Sequence, residues 1–210
     1  MSTDDEFAPD AFDAWADSYD QDVASQGVFP FAGYQQVLDT VVARAGAQPG
    51  MSVLDLGTGT ANLALRFAGL GCELWCTDFS GPMLAKARLK LPQAHFLRHD
   101  LRDTWPMELD RRFDRIVSAY VFHHFELGEK VALCRHLVER RLTPGGRLLI
   151  ADISFPDAQA MGSFARSVGD RWEQEPYWLA DESLQALHEA GLRADYTQVS
   201  PCAGVYAFTP

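Results

Sequence analysis

The residues best placed to do chemistry fall in one short stretch. Asp55, Gly57, Thr58 and Gly59 stand in the run Val53-Leu54-Asp55-Leu56-Gly57-Thr58-Gly59-Thr60, and a second acid, Asp78, follows 23 residues after the first. Glycines at those two positions let backbone, free of side chains, approach a bound ligand. A dinucleotide site wants Gly-x-Gly-x-x-Gly, with the third glycine packing helix on strand and a helix N-terminus facing the pyrophosphate. Here Asn62 holds the third glycine's place, and Asp55 would stand close to an anionic pyrophosphate and repel it. A carboxylate there suits a cationic ligand. A second candidate is the pair His123-His124. Imidazole titrates near neutrality and can act as a general base. Adjacent residues tend to point apart, so at most one of the two is expected to act as a base, and the alternative is that one orients backbone while the other packs under the next helix. His95 and His99 have the i, i+4 spacing of a metal pair on a helix. They flank an expected strand, where that spacing is too long for one ligand set, so no metal is expected.

The elements that must hold these residues can be read from apolar spacing. Val53, Leu54 and Leu56 form a short buried strand stopped by glycine, and 61–68 a helix with Leu63, Ala64 and Phe67 on one face. Gly69 and Gly71 end that helix, and 73–77 is a second strand finishing on Asp78. Strand, glycine turn, helix, strand and acid make the core of a nucleotide-binding βαβ unit. Ser80 can cap the next helix with Pro82 in its first turn, and 94–97 is a third strand followed by His99-Asp100-Leu101. Residues 113–120 form a fourth strand, whose end should line the site crevice from Ser118 to His124. A helix over 129–141, the turn Pro144-Gly145-Gly146 and an apolar fifth strand running to Asp152 come next. The stretch 154–180 is the least regular, carrying Phe155, Phe164, Trp172, Tyr177 and Trp178; it reads as a lid over an acceptor pocket or as a dimer surface. A helix over 181–190 and a hairpin of strands 194–200 and 205–209 close the chain. At the other end, 1–9 reads as a disordered tail, and Phe12, Trp15 and Tyr19 share one face of a short helix, a packing face or a lid. A turn at 27–30 precedes a core helix ending at Gly46.

Asp55-Leu-Gly57-Thr-Gly59-Thr resembles motif I of the class I S-adenosylmethionine-dependent methyltransferases, whose cofactor carries a sulfonium and an ammonium and no phosphate. The resemblance implies that Asp55 and the turn Gly57, Thr58, Gly59 flank the methionine part. It implies that Asp78 holds the ribose hydroxyls, that Asp100 with Leu101 holds adenine, and that Ser118 lines the cofactor crevice. Phe79, beside the ribose acid, either stacks on adenine or plugs the sheet edge. The phrase Trp15-Ala-x-x-Tyr19-Asp20 is similar to the opening of many small-molecule methyltransferases, where the tyrosine reaches the cofactor. Tyr19 is thus a cofactor contact or a packing residue, and Trp15 a packing residue. The His123-His124 pair and the Pro-Gly-Gly approach to the fifth strand are also similar to the class, and the whole set resembles its YrrT-type group of small bacterial enzymes. The fold so implied is α/β, a Rossmann-like doubly wound sheet of seven strands in the order 3-2-1-4-5-7-6, mainly parallel with an antiparallel C-terminal hairpin strand. Residues 1–30 are then an acidic tail and lid helix, and 31–210 one catalytic domain with an acceptor lid at about 154–180.

Composition sets limits on the rest. At 210 residues the chain suits one domain with a substantial core. No apolar run approaches the roughly 20 residues that span a bilayer, and the acidic start lacks the positive region of a signal peptide. The four cysteines, Cys72, Cys76, Cys134 and Cys202, show no Cys-x-x-Cys and read as small core residues in a reducing cytoplasm. Eight acids and no Lys or Arg fall in 1–22, while the remainder of the net charge of −11 is nearly balanced. No basic stripe offers phosphates a footing, which speaks against a nucleic-acid substrate.

The expected activity is methyl transfer from S-adenosylmethionine to a small-molecule acceptor, in line and with an acid–base pair optional. The expected protein is cytoplasmic, a monomer or homodimer, with no nucleic-acid or membrane partner. Three other readings compete. A nicotinamide-dependent oxidoreductase is disfavoured by Asp55 and the missing third glycine. A methyltransferase-like binding module without catalysis has the same motifs. An RNA methyltransferase requires polyanion binding.

Overall fold

The computed structural model describes residues 9–24 and 29–209, with backbone alone for 9–11. The tail expected over 1–9 lies outside the described residues save for Pro9, and the turn expected at 27–30 does so at 27 and 28.

Eight strands form the sheet: β1 (Ser52–Leu56), β2 (Glu73–Asp78), β3 (His95–Arg98), β4 (Phe113–Ala119), β5 (Leu142–Phe155), β6 (Trp178–Leu179), β7 (Arg193–Ser200) and β8 (Ala203–Thr209). Their order is β3-β2-β1-β4-β5-β8-β7, with the two-residue β6 pairing β5 off this path. Without β6 this is the expected seven-stranded order. Pairing is parallel from β3 to β5 and antiparallel from β5 through β8 to β7. A parallel sheet is buried on both faces, which is why all five residues of β1 are buried.

Alternation along the strands divides the core in two. Val53, Val117, Leu149 and Val205 face a cluster with Val37, Leu38, Ala64 and Phe67, from the helices α3 (Tyr34–Ala45) and α4 (Asn62–Gly69). Leu54, Leu56, Ile116 and Ile150 face the other cluster, with Cys134 and Leu187 from α6 (Leu127–His136) and α8 (Ala180–Glu189). Three of the four cysteines are buried and all are free thiols, which fits core use. Among the described residues no helix is long and apolar enough to cross a membrane.

Three local expectations need correction. The aromatic face of 12–19 is not one helix but two, α1 (Pro9–Trp15) and α2 (Tyr19–Ala24), broken at 16–18 where Ser18 N–H bonds the Trp15 carbonyl. The stretch 154–180 is not irregular throughout: it contains α7 (Ala158–Val168), capped by the Asp157 carboxylate on Ala160 N at 2.7 Å. The helix expected over 129–141 starts earlier, at Leu127, with a Glu126/Glu129 capping box, and its last turn, Leu137–Arg141, widens to π spacing.

Candidate active site

Where β1 leaves the sheet, the backbone turns through Gly57 and Gly59 at φ 66° and 53°, the left-handed region open to glycine. A Cβ on Gly57 would lie 2.3 Å from Val121 Cγ2, so the turn packs on the β4 exit with no room for a side chain. On Gly59 it would meet only the Tyr19 ring, at 4.0 Å, across open space. The turn is fixed to the end of β2: Thr58 N–H donates to the Thr77 carbonyl and Gly59 N–H to Asp78 Oδ2, both at 2.8 Å. Asp78 Oδ1 accepts from Ser80 N at 2.8 Å, and Ser80 caps α5 (Gly81–Lys90). Burial first, with Asp13 adding, pushes the Asp78 carboxyl up to about 6, against the pull of these amides.

Above this rim lies a cavity of about 400 Å³, a size suited to one small-molecule site. Tyr19, Gly57, Gly59, Asp78, Phe79, Asp100, Leu101, His123 and His124 all stand on its wall. Three expected contacts do not. Asp55, Thr58 and Ser118 are buried beneath the wall and brace it. Asp55 is the fourth residue of a five-residue buried strand, so its side chain points into a layer of the fold instead of out of the strand's end. Its Oδ2 accepts from Thr58 Oγ1 at 2.7 Å, and burial first, with Asp78 adding, raises its pKa to about 7. Ser118 Oγ donates to the Leu56 carbonyl at 2.8 Å. Asp100 Oδ1 also accepts from Arg102 N at 2.9 Å, so it caps its own loop while facing the cavity. His95 stacks on Trp75 at 4.3 Å, away from the cavity wall where His99 stands, and the two histidines do not converge.

The α1–α2 segment roofs the cavity with Phe12, Trp15 and Tyr19. Its acids are not merely solvated. Ser80 Oγ donates to Asp13 Oδ1 at 2.5 Å, and Lys86 Nζ lies 2.9 Å from Asp17. Asp20 takes Thr60 Oγ1 at 2.6 Å, Asn62 Nδ2 at 3.1 Å and Lys90 Nζ at 2.8 Å, and despite partial burial these partners hold its carboxyl below the ordinary range. Asn62, in the place of a third glycine, thus ties roof to turn. Asn62 Nδ2 also reaches the Tyr34 hydroxyl at 3.4 Å, beneath this roof. Trp15, expected only to pack, stands on the cavity wall too.

At the far end, the 3-10 turn Phe122–His124 follows β4, past Tyr120 at φ 59°, a strained value for a non-glycine. Successive side chains in such a turn step by about 120° instead of reversing. The two histidine rings lie with centroids 4.0 Å apart and both stand on the cavity wall, contrary to the expectation that they point apart. His123 Nδ1 lies 2.6 Å from Asp152 Oδ1, on β5, whose carboxylate also takes Ile153 N at 2.8 Å and Trp178 Nε1 at 3.2 Å. Burial alone would lower the His123 pKa, but Asp152 outweighs it and the pKa rises, while Asp152 is held below the carboxylate range. Burial and then His123 lower His124. Glu175 Oε2 stands 3.8 Å from His123 Nε2 and 3.2 Å from His124 Nδ1. Phe29, Tyr120, Ile153 and Tyr177 supply apolar wall around this end.

Sequence reasoning missed Asp152 and Glu175 as site residues. The position of Asp152 near the end of the fifth strand was a usable signal, because strand ends edge the crevice of such sheets. Glu175 had none, since the loop between α7 and β6 that carries it has no periodicity.

Residues 53–146 match a family described as Methyltransferase domain. An uncharacterized methyltransferase of Geobacillus kaustophilus (strain HTA426) is 34% identical over 203 residues, covering 90% of this chain and 90% of its own length. Another, of Geobacillus thermodenitrificans (strain NG80-2), is 31% identical over 201 residues with the same shares. Among solved structures, the DhpI-SAM-HEP complex is similar with a TM-score of 0.75 and 21% identity, over 96% of this chain and 95% of that one. Magnesium protoporphyrin IX methyltransferase (ChlM) from Synechocystis PCC 6803 with bound SAH gives 0.70 and 21%, over 97% and 96%. At such identities the likeness to the solved structures is one of fold.

Proposed function

The chain belongs to the class I S-adenosylmethionine-dependent methyltransferases, and we propose that it transfers the methyl group in line to a small-molecule acceptor, with His123 taking the acceptor's proton. The observation that carries this reading is the layout of one cavity, with the glycine rim and Asp78 at one end and His123 on Asp152 at the other.

The rim fits the cofactor. Gly57 and Gly59 leave backbone bare where a ligand must come close, and Asp78, in no ion pair among the described residues, presents a carboxylate to hydroxyls. The acids Asp78, Asp100, Glu173 and Glu175 outnumber the single wall guanidinium, Arg102, which suits a ligand bearing sulfonium and ammonium charges. Asp100 and Leu101 border the space for adenine, and Phe79 and Tyr19 border it from the roof side. When bound, S-adenosylmethionine supplies an electrophilic methyl carbon on a positively charged sulfur, displaced in line by the acceptor's lone pair.

The chain then has two tasks. The first is to hold the reactants aligned and dry, for which Phe12, Trp15, Tyr19 and Phe29 roof the cavity and Tyr177 closes its side. The second is to accept a proton at His123 Nε2. Asp152 fixes Nδ1–H as the other tautomer position and stabilises the imidazolium that forms, the base–orienter logic of acyl-transfer triads.

The test is incubation of the full chain with methyl-labelled S-adenosylmethionine, chelator, and a panel of small amines, thiols, phenols and acids. Label in one acceptor class, lost in His123→Ala, is the expected result. No transfer to any class, with thermal stabilisation by NADH and none by S-adenosylhomocysteine, would overturn it.

A further inference from the structure

We infer that His123 Nε2, His124 Nδ1 and Glu175 form a site for one borderline divalent cation of the zinc type, and that its occupancy silences the proposed base. The three ligand atoms all lie within 4.8 Å of one another. With metal bonds of about 2.0–2.1 Å, the donors of a tetrahedral zinc site stand roughly 3.3 Å apart. The observed separations from Glu175 Oε2 are 3.2 Å to His124 and 3.8 Å to His123, and the two histidine nitrogens lie within 4.8 Å of each other, so Glu175 is already at ligand spacing and rotation of the imidazoles toward each other, by up to about 1.5 Å, completes the set.

Three further features suit a metal. The other ring nitrogen of His123 is already held by Asp152 at 2.6 Å, the carboxylate–histidine support that fixes a ligand's tautomer and raises its basicity. Asp152 is itself fixed by Ile153 N and Trp178 Nε1. Glu175 is anchored from behind, because the buried Lys130 ammonium bonds the carbonyl of the next residue, Pro176, and lies 5.0 Å from the centre of the Trp178 ring. Lys130 is thereby committed, leaving two carboxylates and two imidazoles around the point where the cation would sit. The side chains are 8% exposed at His123 and 15% at His124 and Glu175, a partly dry setting on the wall of the cavity. Two imidazoles and one carboxylate leave a fourth position facing that cavity, and this donor set favours zinc over magnesium or calcium.

The consequence rests on the proposed role of His123. A cation on Nε2 occupies the lone pair that would accept the proton, so added zinc stops transfer and chelator restores it.

Equilibrium dialysis of the full chain against zinc chloride, followed by metal analysis, tests the site without any methyl donor or acceptor. One zinc per chain is expected, weakened at least tenfold in His124→Ala and in Glu175→Gln and unchanged in the exposed His188→Ala. Glu175→Gln keeps the shape of the side chain, and thermal unfolding of each variant checks its fold. Zinc uptake below one per chain, or equal uptake by folded Glu175→Gln and His124→Ala chains, overturns the site. Zinc bound with undiminished methyl transfer overturns the silencing alone, and absence of transfer at any zinc level points instead at the methyltransferase reading.

Discussion

Asp78 Oδ2 accepts the Gly59 amide at 2.8 Å, so the acid ending β2 and the glycine turn after β1 form one rim. Its second oxygen holds Ser80 N, and the residue stands on the cavity wall. Replacing Asp78 by Ala should weaken binding of S-adenosylhomocysteine at least tenfold, about 1.4 kcal/mol, read by calorimetry. The same carboxylate makes affinity depend on acid. Its pKa of about 6 in the free protein must fall when hydroxyls donate to the charged form. Affinity should therefore hold above pH 7 and decline as pH drops through 6, and a flat profile in the wild type would show that the ribose lies elsewhere.

Asp55 makes a different prediction, because it is buried beneath the cavity wall and not on it. Its pKa is about 7 in the folded chain, against an ordinary carboxylate value near 3.8. A raised folded pKa means that the native state binds the extra proton between about pH 4 and 7, so this group's stabilisation is full below that window and lost as pH rises through it. Asp55→Asn removes the charge and keeps shape. Its Oδ1 can take the Ala64 amide, and its Nδ2 can donate to Thr58 Oγ1, a hydroxyl able to accept. The variant should be more stable than wild type by at least about 1 kcal/mol at pH 8, with the gap closing toward pH 4. Denaturant midpoints across that range would check it; a destabilised variant at pH 8 would mean the charge is needed where it lies.

The division between these two acids explains what the sequence could and could not reveal. Val53 to Asp78 was legible because strand, glycine turn and helix each depend on local residue types: apolar β-branched runs, positive φ and 3.6-residue spacing. Which way a side chain points at the end of a strand is tertiary information, and the sequence does not reveal that Asp55 and Ser118 stand beneath the cavity wall. The pointing of His123 and His124 was misjudged because strand alternation was assumed where the chain makes a 3-10 turn. Glu175 was hidden more deeply. The strand that follows it, β6, pairs Trp178 and Leu179 with Ser154 and Phe155 of β5, each 24 residues back in sequence, a contact that no local pattern announces.

The roof is held chiefly by Asp20, whose carboxylate gathers Thr60, Asn62 and Lys90 at the edge of the glycine turn. Both charged partners are part-exposed, so their contribution to global stability should be small. Their effect should appear in the opening of the roof. Asp20→Ala is expected to speed release of S-adenosylhomocysteine by at least about threefold, with an unchanged unfolding midpoint and with less sensitivity of the release rate to salt than in wild type. Stopped-flow displacement measures this, and an unaltered release rate would mean that α1 and α2 stay closed without the latch.

Asp152 and His123 can be separated by kinetics. If His123 Nε2 takes the proton, His123→Ala should lower kcat by about 10²–10⁴ while binding of S-adenosylhomocysteine stays within a factor of two. Asp152 touches no reactant in this arrangement: it is a positioning residue that fixes the tautomer and steadies the imidazolium. Asp152→Asn keeps an acceptor for Ile153 N and a similar volume, yet it can no longer stabilise a charged ring. The expected signature is a fall in kcat with acceptor KM nearly constant, because an interaction made only as the proton moves is the one removed. A rise in KM with kcat preserved would instead assign the buried pair to shaping the acceptor pocket. In that case methyl transfer here would proceed by alignment and water exclusion alone, which displacement at a sulfonium methyl allows.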